Sequence, residues 1–350
     1  ETAGEALQGQ IAGLDIVANS GNLGAGTSMR LRGVTSINGS QEPLIVVDGY
    51  ILESYDKEEF DANDMNEEKF ATLLQVSPDD IQKINVLKDA AATAIWGSRG
   101  SNGVIEITTR RGARGKTRVN FGYRFSGHWQ PEGMKMLDGD GYSMMLKEAY
   151  FNPKQSDVAS GIVELMYLRD YTAYYGNYSN NTDWLDLVTQ FGQTHDYSLS
   201  VSGGGDKANF RVSGNYNHAT GTVIKQSLDR FTTRLALDYF VSDRIKFVSD
   251  FSLAYTNNNM NYDGGLMSYA YQAMPNMSVY RMERRPGEED YHNTGDYYIM
   301  PPAAGSPGML ANNSGLTSYY LRDRVEKSNP VAIANLSWKK QSTYTITPKF

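Results

Sequence analysis

The chain has 350 residues, 40% hydrophobic and 11% aromatic, with 24 Tyr, 34 Gly and no Cys. The lack of Cys removes disulfides, thiolate metal sites and Cys nucleophiles; no apolar run approaches the ~20 residues of a membrane helix, although alternating barrel strands read as polar on average and stay open. Residues 1–111 hold 9 Lys+Arg against 17 Asp+Glu, a net of −8 where the whole chain carries −7, and so acidic a front section argues against a nucleic-acid partner.

Glu1 to Val17 places Leu7, Ile11 and Leu14 at helical spacing before a short apolar end. Gly21 to Gly26 reads GNLGAG, which is not the dinucleotide-binding spacing, and it predicts a turn. Met29 to Val34 reads as a strand, followed by a polar loop, Thr35 to Glu42, with an Asn38-Gly39 turn signal. Pro43 to Tyr50, PLIVVDGY, is an apolar run with no alternation, which predicts burial on both faces, closed by an Asp48-Gly49 turn. Glu53 to Glu68 carries eight acids against Lys57 and reads as a solvated loop without calcium-loop spacing. Ser77-Pro78-Asp79-Asp80 has the order of a helix start.

Val86 to Gly112, VLKDAAATAIWGSRGSNGVIEITTRRG, is the most informative stretch. The end of a strand leads to Asp89 as helix cap and then to an Ala-rich helix, Ala90 to Trp96. Gly97 stands at the C-terminal cap position, and a Gly-rich turn and a second strand follow. After the polar hinge Gly112 to Lys116 the texture changes. Val119, Phe121, Tyr123 and Phe125 alternate with Asn120, Gly122, Arg124 and Ser126. The same period recurs around Tyr197–Val201, Phe210–Tyr216, Phe231–Tyr239 and Phe247–Tyr255, and Trp338 to Phe350 begins another strand. Helices are expected over Asp138 to Phe151 and Ile162 to Ala173. Connections are short at 203–207 and 241–244, longer at 217–230 and very long at about 257–330, the short-and-long pattern of outer-membrane barrels. Alternation alone fits a soluble β-sandwich equally well.

The run from Val86 resembles the end of the plug domain of TonB-dependent outer-membrane transporters, and its "GSRG.NGVI.ITT" form is similar to the SusC/RagA branch. Trp96 stands where that family usually has Tyr. The segments around Leu7–Gly13, Arg32-Gly33 and Pro43–Gly49 resemble the earlier plug in the same order. The resemblance implies an α+β plug domain over 1–112, then antiparallel transmembrane β-barrel strands over 116–350, with the barrel incomplete. About six strands cannot close around such a plug, so a longer protein is expected. Phe121, Tyr123 and Phe125 would face outer-membrane lipid, and Arg124, Arg211, Arg234 and Asp250 the lumen.

The implied activity is TonB-dependent import of oligosaccharides or peptides across the outer membrane of a Gram-negative bacterium. Implied partners are a SusD-like surface lipoprotein and the TonB-ExbB-ExbD system. The alternative is a non-transporting surface binding protein or adhesin. Loops after the "RG" and "DG" turns face ligand in the family, which makes Asn38, Gln41, Tyr50 and Glu53 candidate substrate contacts. The four His are scattered, and no HExxH, GxSxG or Walker A motif occurs, so neither catalytic residues nor a cofactor or metal is expected. The Tyr- and Met-rich stretch Asn257 to Pro330 is expected to meet the lipoprotein, or else to fold over its own chain.

Overall fold

The computed structural model describes residues 14–18, 23, 27–31, 43–52, 76–154, 172–242, 244–261, 265–299 and 329–349. Strands β1 (Asp15–Ala18) and β2 (Thr27–Arg30) form an antiparallel pair. A mixed sheet follows, in the order β4 (Tyr50–Ile51), β3 (Leu44–Val47), β6 (Val104–Thr109), β5 (Ile81–Leu87). β3 runs parallel to β6, and β5 antiparallel to it. Val46 and Val47, neighbours that point to opposite faces, are both buried, as are Val104 and Ile105. The unalternating run of β3 is thus covered on both sides, as its sequence predicts. Leu14, Leu31, Val47, Ile105 and Ile107 form the core of this unit.

Asp48 and Gly49 join β3 to β4 with φ of 51° and 84°. Positive φ at both central residues is the two-residue turn whose twist suits a hairpin, and Asp-Gly is among its preferred pairs. The expected helix after Ser77 is a single 3₁₀ turn, Pro78–Asp80, that passes directly into β5, and Ser77 makes no side-chain cap bond. Asp89 has the extended backbone of a cap, again without the side-chain bond, before α1 (Ala90–Thr93). A 3₁₀ segment, Ala94–Gly100, continues α1 and kinks at Gly97, whose φ of 61° and ψ of −147° lie outside the left-handed helical cap expected there.

The wall is one antiparallel sheet of six strands: β7 (Gly115–His128), β8 (Gly192–Gly204), β9 (Ala208–Thr220), β10 (Ser227–Ser242), β11 (Ile245–Met260) and, beyond β11, β14 (Lys339–Lys349). All six alternating segments are present, and the first five are longer than the sequence indicates. β9 and β10 extend so far that their connection is only 221–226, not 217–230. The two faces differ. Toward the plug point Arg211, Ser213, Arg234, Asp238 and Asp250, which touch plug groups or one another. On the other face, Tyr123, Tyr197, Tyr216, Phe231, Tyr255 and Tyr344 are mutual partners across all six strands. Their rings are 4.9 Å apart for Tyr123 and Tyr197, and 4.6 Å for Tyr255 and Tyr344. Below this aromatic row lie Phe121, Leu199, Leu253 and Ile346, then Val119, Val201, Val212, Leu235 and Phe251.

A second apolar core lies at the end of the wall with the long connections. It is built from α2 (Gly139–Lys154), α3 (Thr172–Tyr178), α4 (Trp184–Val188), α5 (Leu266–Gln272), the hairpin β12 (Tyr280–Arg284) and β13 (Tyr291–Tyr297), and α6 (Pro330–Leu336). Tyr142, Tyr178, Trp184, Leu266, Met277 and Val331 are buried together, and Trp184 Nε1 donates to the Met274 carbonyl at 2.8 Å. The expected helix Asp138 to Phe151 is α2. Most of Ile162 to Ala173, all of Glu53 to Glu68 and part of Asn257 to Pro330 lie outside the described residues. The described part of that last stretch packs against its own chain.

Candidate functional site

The site is the joint where the plug sheet meets the wall. Asp48 is placed by the β3–β4 turn and aims its carboxylate at the end of β6. It accepts from Thr109 N (2.9 Å), Thr109 Oγ1 (2.6 Å) and Arg234 Nη2 (2.7 Å). Arg234 also forks onto Asp250 through Nε (2.7 Å) and Nη2 (2.5 Å). Asp250 takes Arg111 Nη2 at 2.9 Å, and the other arm of Arg111 reaches Asp238 at 2.7 Å. Lys246 closes the chain on Asp238 at 3.1 Å. Three carboxylates thus meet three cations in one line, and bidentate guanidinium contacts fix it in orientation as well as charge. Burial alone would raise the Asp48 carboxyl. The side-chain and backbone bonds from Thr109 and the contact with Arg234 more than offset it, and hold Asp48 below its ordinary value.

A second joint lies beside it. Asp80, 4% exposed, accepts from Arg211 Nη2 at 3.1 Å and Ser213 Oγ at 2.8 Å, both on β9. Its own carbonyl accepts from Arg110 N at 2.8 Å. A cavity of about 160 Å³ separates plug from wall nearby, lined by Ser77, Pro78 and Asp79 on one side and Arg124, Asp196, Asn215 and Arg230 among others on the other. The chain crosses from plug to wall at Gly112, where an added Cβ would lie 2.3 Å from the Phe210 carbonyl oxygen. Only a residue without a side chain can pass β9 that closely.

Of the candidate substrate contacts, Tyr50 is on β4 with its ring half exposed and Lys349 Nζ 4.8 Å from the ring centroid. Lys349 is the register partner of Asp250, so Tyr50 lies nearer the short Val241–Ile245 turn than the helical unit. Asn38, Gln41 and Glu53 lie outside the described residues. Sequence reasoning missed Asp48, Asp80, Thr109 and Arg111 as site residues. It did place Arg211, Arg234 and Asp250 on the inner face, and charges there on otherwise apolar-alternating strands were the available signal.

Residues 1–104 match the TonB-dependent receptor plug domain model. The chain is 31% identical over 318 residues to TonB-dependent receptor P3 of Formosa agariphila, covering 88% of this chain and 27% of that protein. It is 30% identical over 298 residues to TonB-dependent receptor SusC of Bacteroides thetaiotaomicron, covering 85% and 26%. The chain therefore spans about a quarter of the length of these relatives. Its fold is similar to that of the RagAB peptide importer in the closed-closed state, with a TM-score of 0.63 at 22% identity, covering 83% of this chain and 34% of that one. In plug match, relatives and fold, the chain belongs to the TonB-dependent receptors of the SusC/RagA type.

Proposed function

We propose that this chain is the plug and leading wall of an outer-membrane importer for oligosaccharides or peptides. TonB-ExbB-ExbD energises it and a SusD-like lipoprotein covers its outer mouth. The domain division falls at the Gly112–Lys116 hinge. The observation that carries the reading is the polar joint. The plug keeps its own apolar core and is tied to the wall by ion pairs and hydrogen bonds with a cavity alongside. Such a joint seals while its partners are in place, and its groups can be solvated once they part, whereas a shared apolar core would not re-wet without large cost.

The outer face fits the same reading. From Phe231 to Val241 the away-facing residues of β10 rise ten positions, roughly 33 Å of strand, or about 25 Å at a tilt near 40°, the height of an outer-membrane apolar band. The short turns then face the periplasm, and the helical unit faces outward, where a lipoprotein would dock. Tyr50, Asn38, Gln41 and Glu53 are the substrate contacts we propose. The ring of Tyr50, half exposed and on the side of the short turns, would meet substrate on its way to the periplasm rather than at the outer mouth, and a Tyr there can stack on a sugar and hydrogen-bond through its hydroxyl.

The test uses the full-length protein in its host. Uptake of labelled oligosaccharides and oligopeptides is measured with TonB present and deleted, alongside surface binding. Uptake that disappears without TonB while binding persists is the expected result. Binding with no energised uptake of any such ligand would instead make the protein a surface receptor.

A further inference from the structure

Two rows of the inner face of the wall border the cavity between plug and wall, and they differ in kind. The outer row is Arg124, Asp196, Asn217 and Arg230, across β7 to β10. Its members are engaged. Asn217 Nδ2 donates to Asp196 Oδ1 at 2.5 Å, and both arginines have partners. The next row toward the short turns is Gly122, Ser198, Asn215 and Thr232. Its side chains are short where those of the outer row are long, and that step hollows out the space. A Cβ at Gly122 would lie 2.6 Å from Ser198 Oγ, so the glycine leaves that hydroxyl its place.

The short row is free. Asn215 Nδ2 is buried and has no hydrogen-bond partner. The hydroxyls of Ser198 and Thr232 have none among the described residues, and on the plug side neither has the Ser77 hydroxyl or the Asp79 carboxylate. One amide donor, three hydroxyls and one carboxylate therefore line the same space unpaired. A buried donor left unsatisfied costs about 1–3 kcal/mol, which a guest that brings an acceptor recovers. One end of the cavity is shut, because the row below it holds Ser213 and Arg234, tied to Asp80 and Asp48 of the plug. A guest therefore arrives from the end of the wall with the long connections.

We infer that this cavity is a subsite for one neutral sugar ring of an oligosaccharide. Its volume is about 160 Å³, and a cavity of about 150 Å³ is known to take one six-membered ring. Sugar hydroxyls both donate and accept. They can accept from Asn215 Nδ2, exchange bonds with Ser198 and Thr232, and donate to Asp79, while the Pro78 ring offers an apolar surface to the sugar face. A peptide is matched less well. The free groups include no cation for a C-terminal carboxylate, and the tyrosine rings of these strands lie on the opposite face, so no apolar pocket receives a side chain. The inference deepens the importer reading proposed above and rests on it for the side from which the ligand comes.

The full-length protein, purified in detergent, is titrated with neutral hexasaccharides of glucose, mannose, galactose and xylose, and with a tryptic digest of casein. Bound ligand is read by native mass spectrometry. At least one saccharide should bind. Thr232→Val keeps the shape and removes the hydroxyl, and Asn215→Leu removes the free amide; each should weaken that saccharide about tenfold, the loss of about one hydrogen bond. Thr232→Ser, which keeps the hydroxyl, should bind as the parent does. So should Ser252→Ala, which lies on the same face in the row of Arg234, below the cavity. Failure of every saccharide to bind, saccharide binding unchanged in both Thr232→Val and Asn215→Leu, or casein peptides whose binding those two variants weaken instead, would overturn the inference. Uptake in the host separates the two readings. Uptake that does not depend on TonB fails the importer reading and leaves the subsite standing, whereas energised uptake of peptides with no saccharide bound fails only the inference.

Discussion

Arg234→Ala removes the guanidinium that joins Asp48 of the plug to Asp250 of the wall. The three side chains are 12%, 11% and 6% exposed, so neither carboxylate is released into open water. Breaking a buried pair by deleting one partner costs about 3–5 kcal/mol. The lower end applies here, because Asp250 keeps Arg111 at 2.9 Å and Asp48 keeps both Thr109 donors. About 3 kcal/mol corresponds to roughly a hundredfold in the opening equilibrium. Hydrogen exchange on the full-length protein in detergent reads it directly. Amides of Leu44–Val47 and Val104–Thr109 should exchange about a hundredfold faster, with those of the β9–β10 ladder unchanged. Equal protection in variant and parent would refute the reasoning, since the plug sheet would then be held by something other than this chain of charges.

The same protection has a defined pH dependence. Asp48 is held below its ordinary value of 3.8, and a carboxylate depressed on folding contributes stability above its unfolded pKa and loses it as pH falls through the folded one. Protection of β3 and β6 should therefore be level from neutral to about pH 5 and decline below about pH 4; an earlier decline, near pH 6, would assign the control to a histidine. Phe121→Arg puts a charge in the apolar band at about 2–4 kcal/mol and should reduce heat-modifiable, membrane-assembled protein, whereas Arg124→Phe should assemble better than it does; the reverse order would exchange the two faces. Asn329→Ala, at a fully buried residue that caps α6 and donates to the Val279 and Tyr298 carbonyls, should cost about 2–4 kcal/mol and speed protease cleavage within the helical unit; unaltered digestion would count against its role. Gly112→Ala should lower the yield of folded protein, while Gly205→Ala, with open space around its Cβ, should not; equal yields would mean that the Phe210 backbone yields at no cost.

What the sequence made legible follows the range of the interactions. The Val86–Gly112 unit is local: β5, α1, the Gly turn and β6 are each set by neighbours, so their order can be read directly. The wall strands are legible because period-two alternation survives whatever the partner strand is. Asp48 and Arg111 were visible only as a turn residue and the end of a strand, because their partners lie 186 and 139 residues away. Asp80 looked like a first-turn acid of a helix, and the helix is one turn long because the Asp80 carbonyl accepts from Arg110 N and Ile81 is already extended, while the Asp80 carboxylate is taken by Arg211 and Ser213. The outer unit was half legible. α2 has enough length to show its period, but α4 has five residues, and β12 and β13 are largely exposed and polar, without an alternating face.

The distribution of apolar and polar contacts also explains why plug and wall can be separate bodies in one chain. The plug core draws only on residues between Leu14 and Ile107, and the outer core only on residues from Tyr142 onward. No apolar cluster among the described residues bridges the two. What bridges them is directional: the forks of Arg234 and Arg111, the Asp80 contacts, and Lys349 donating to the Val47 carbonyl at 3.2 Å. Directional bonds specify one position of the plug sharply, since a shift of about 1 Å breaks several together. Apolar contact of equal strength would tolerate sliding. The wall can therefore hold the plug in a single register without sharing a core with it, and the strength of that hold is set by a few named charges that substitution can remove one at a time.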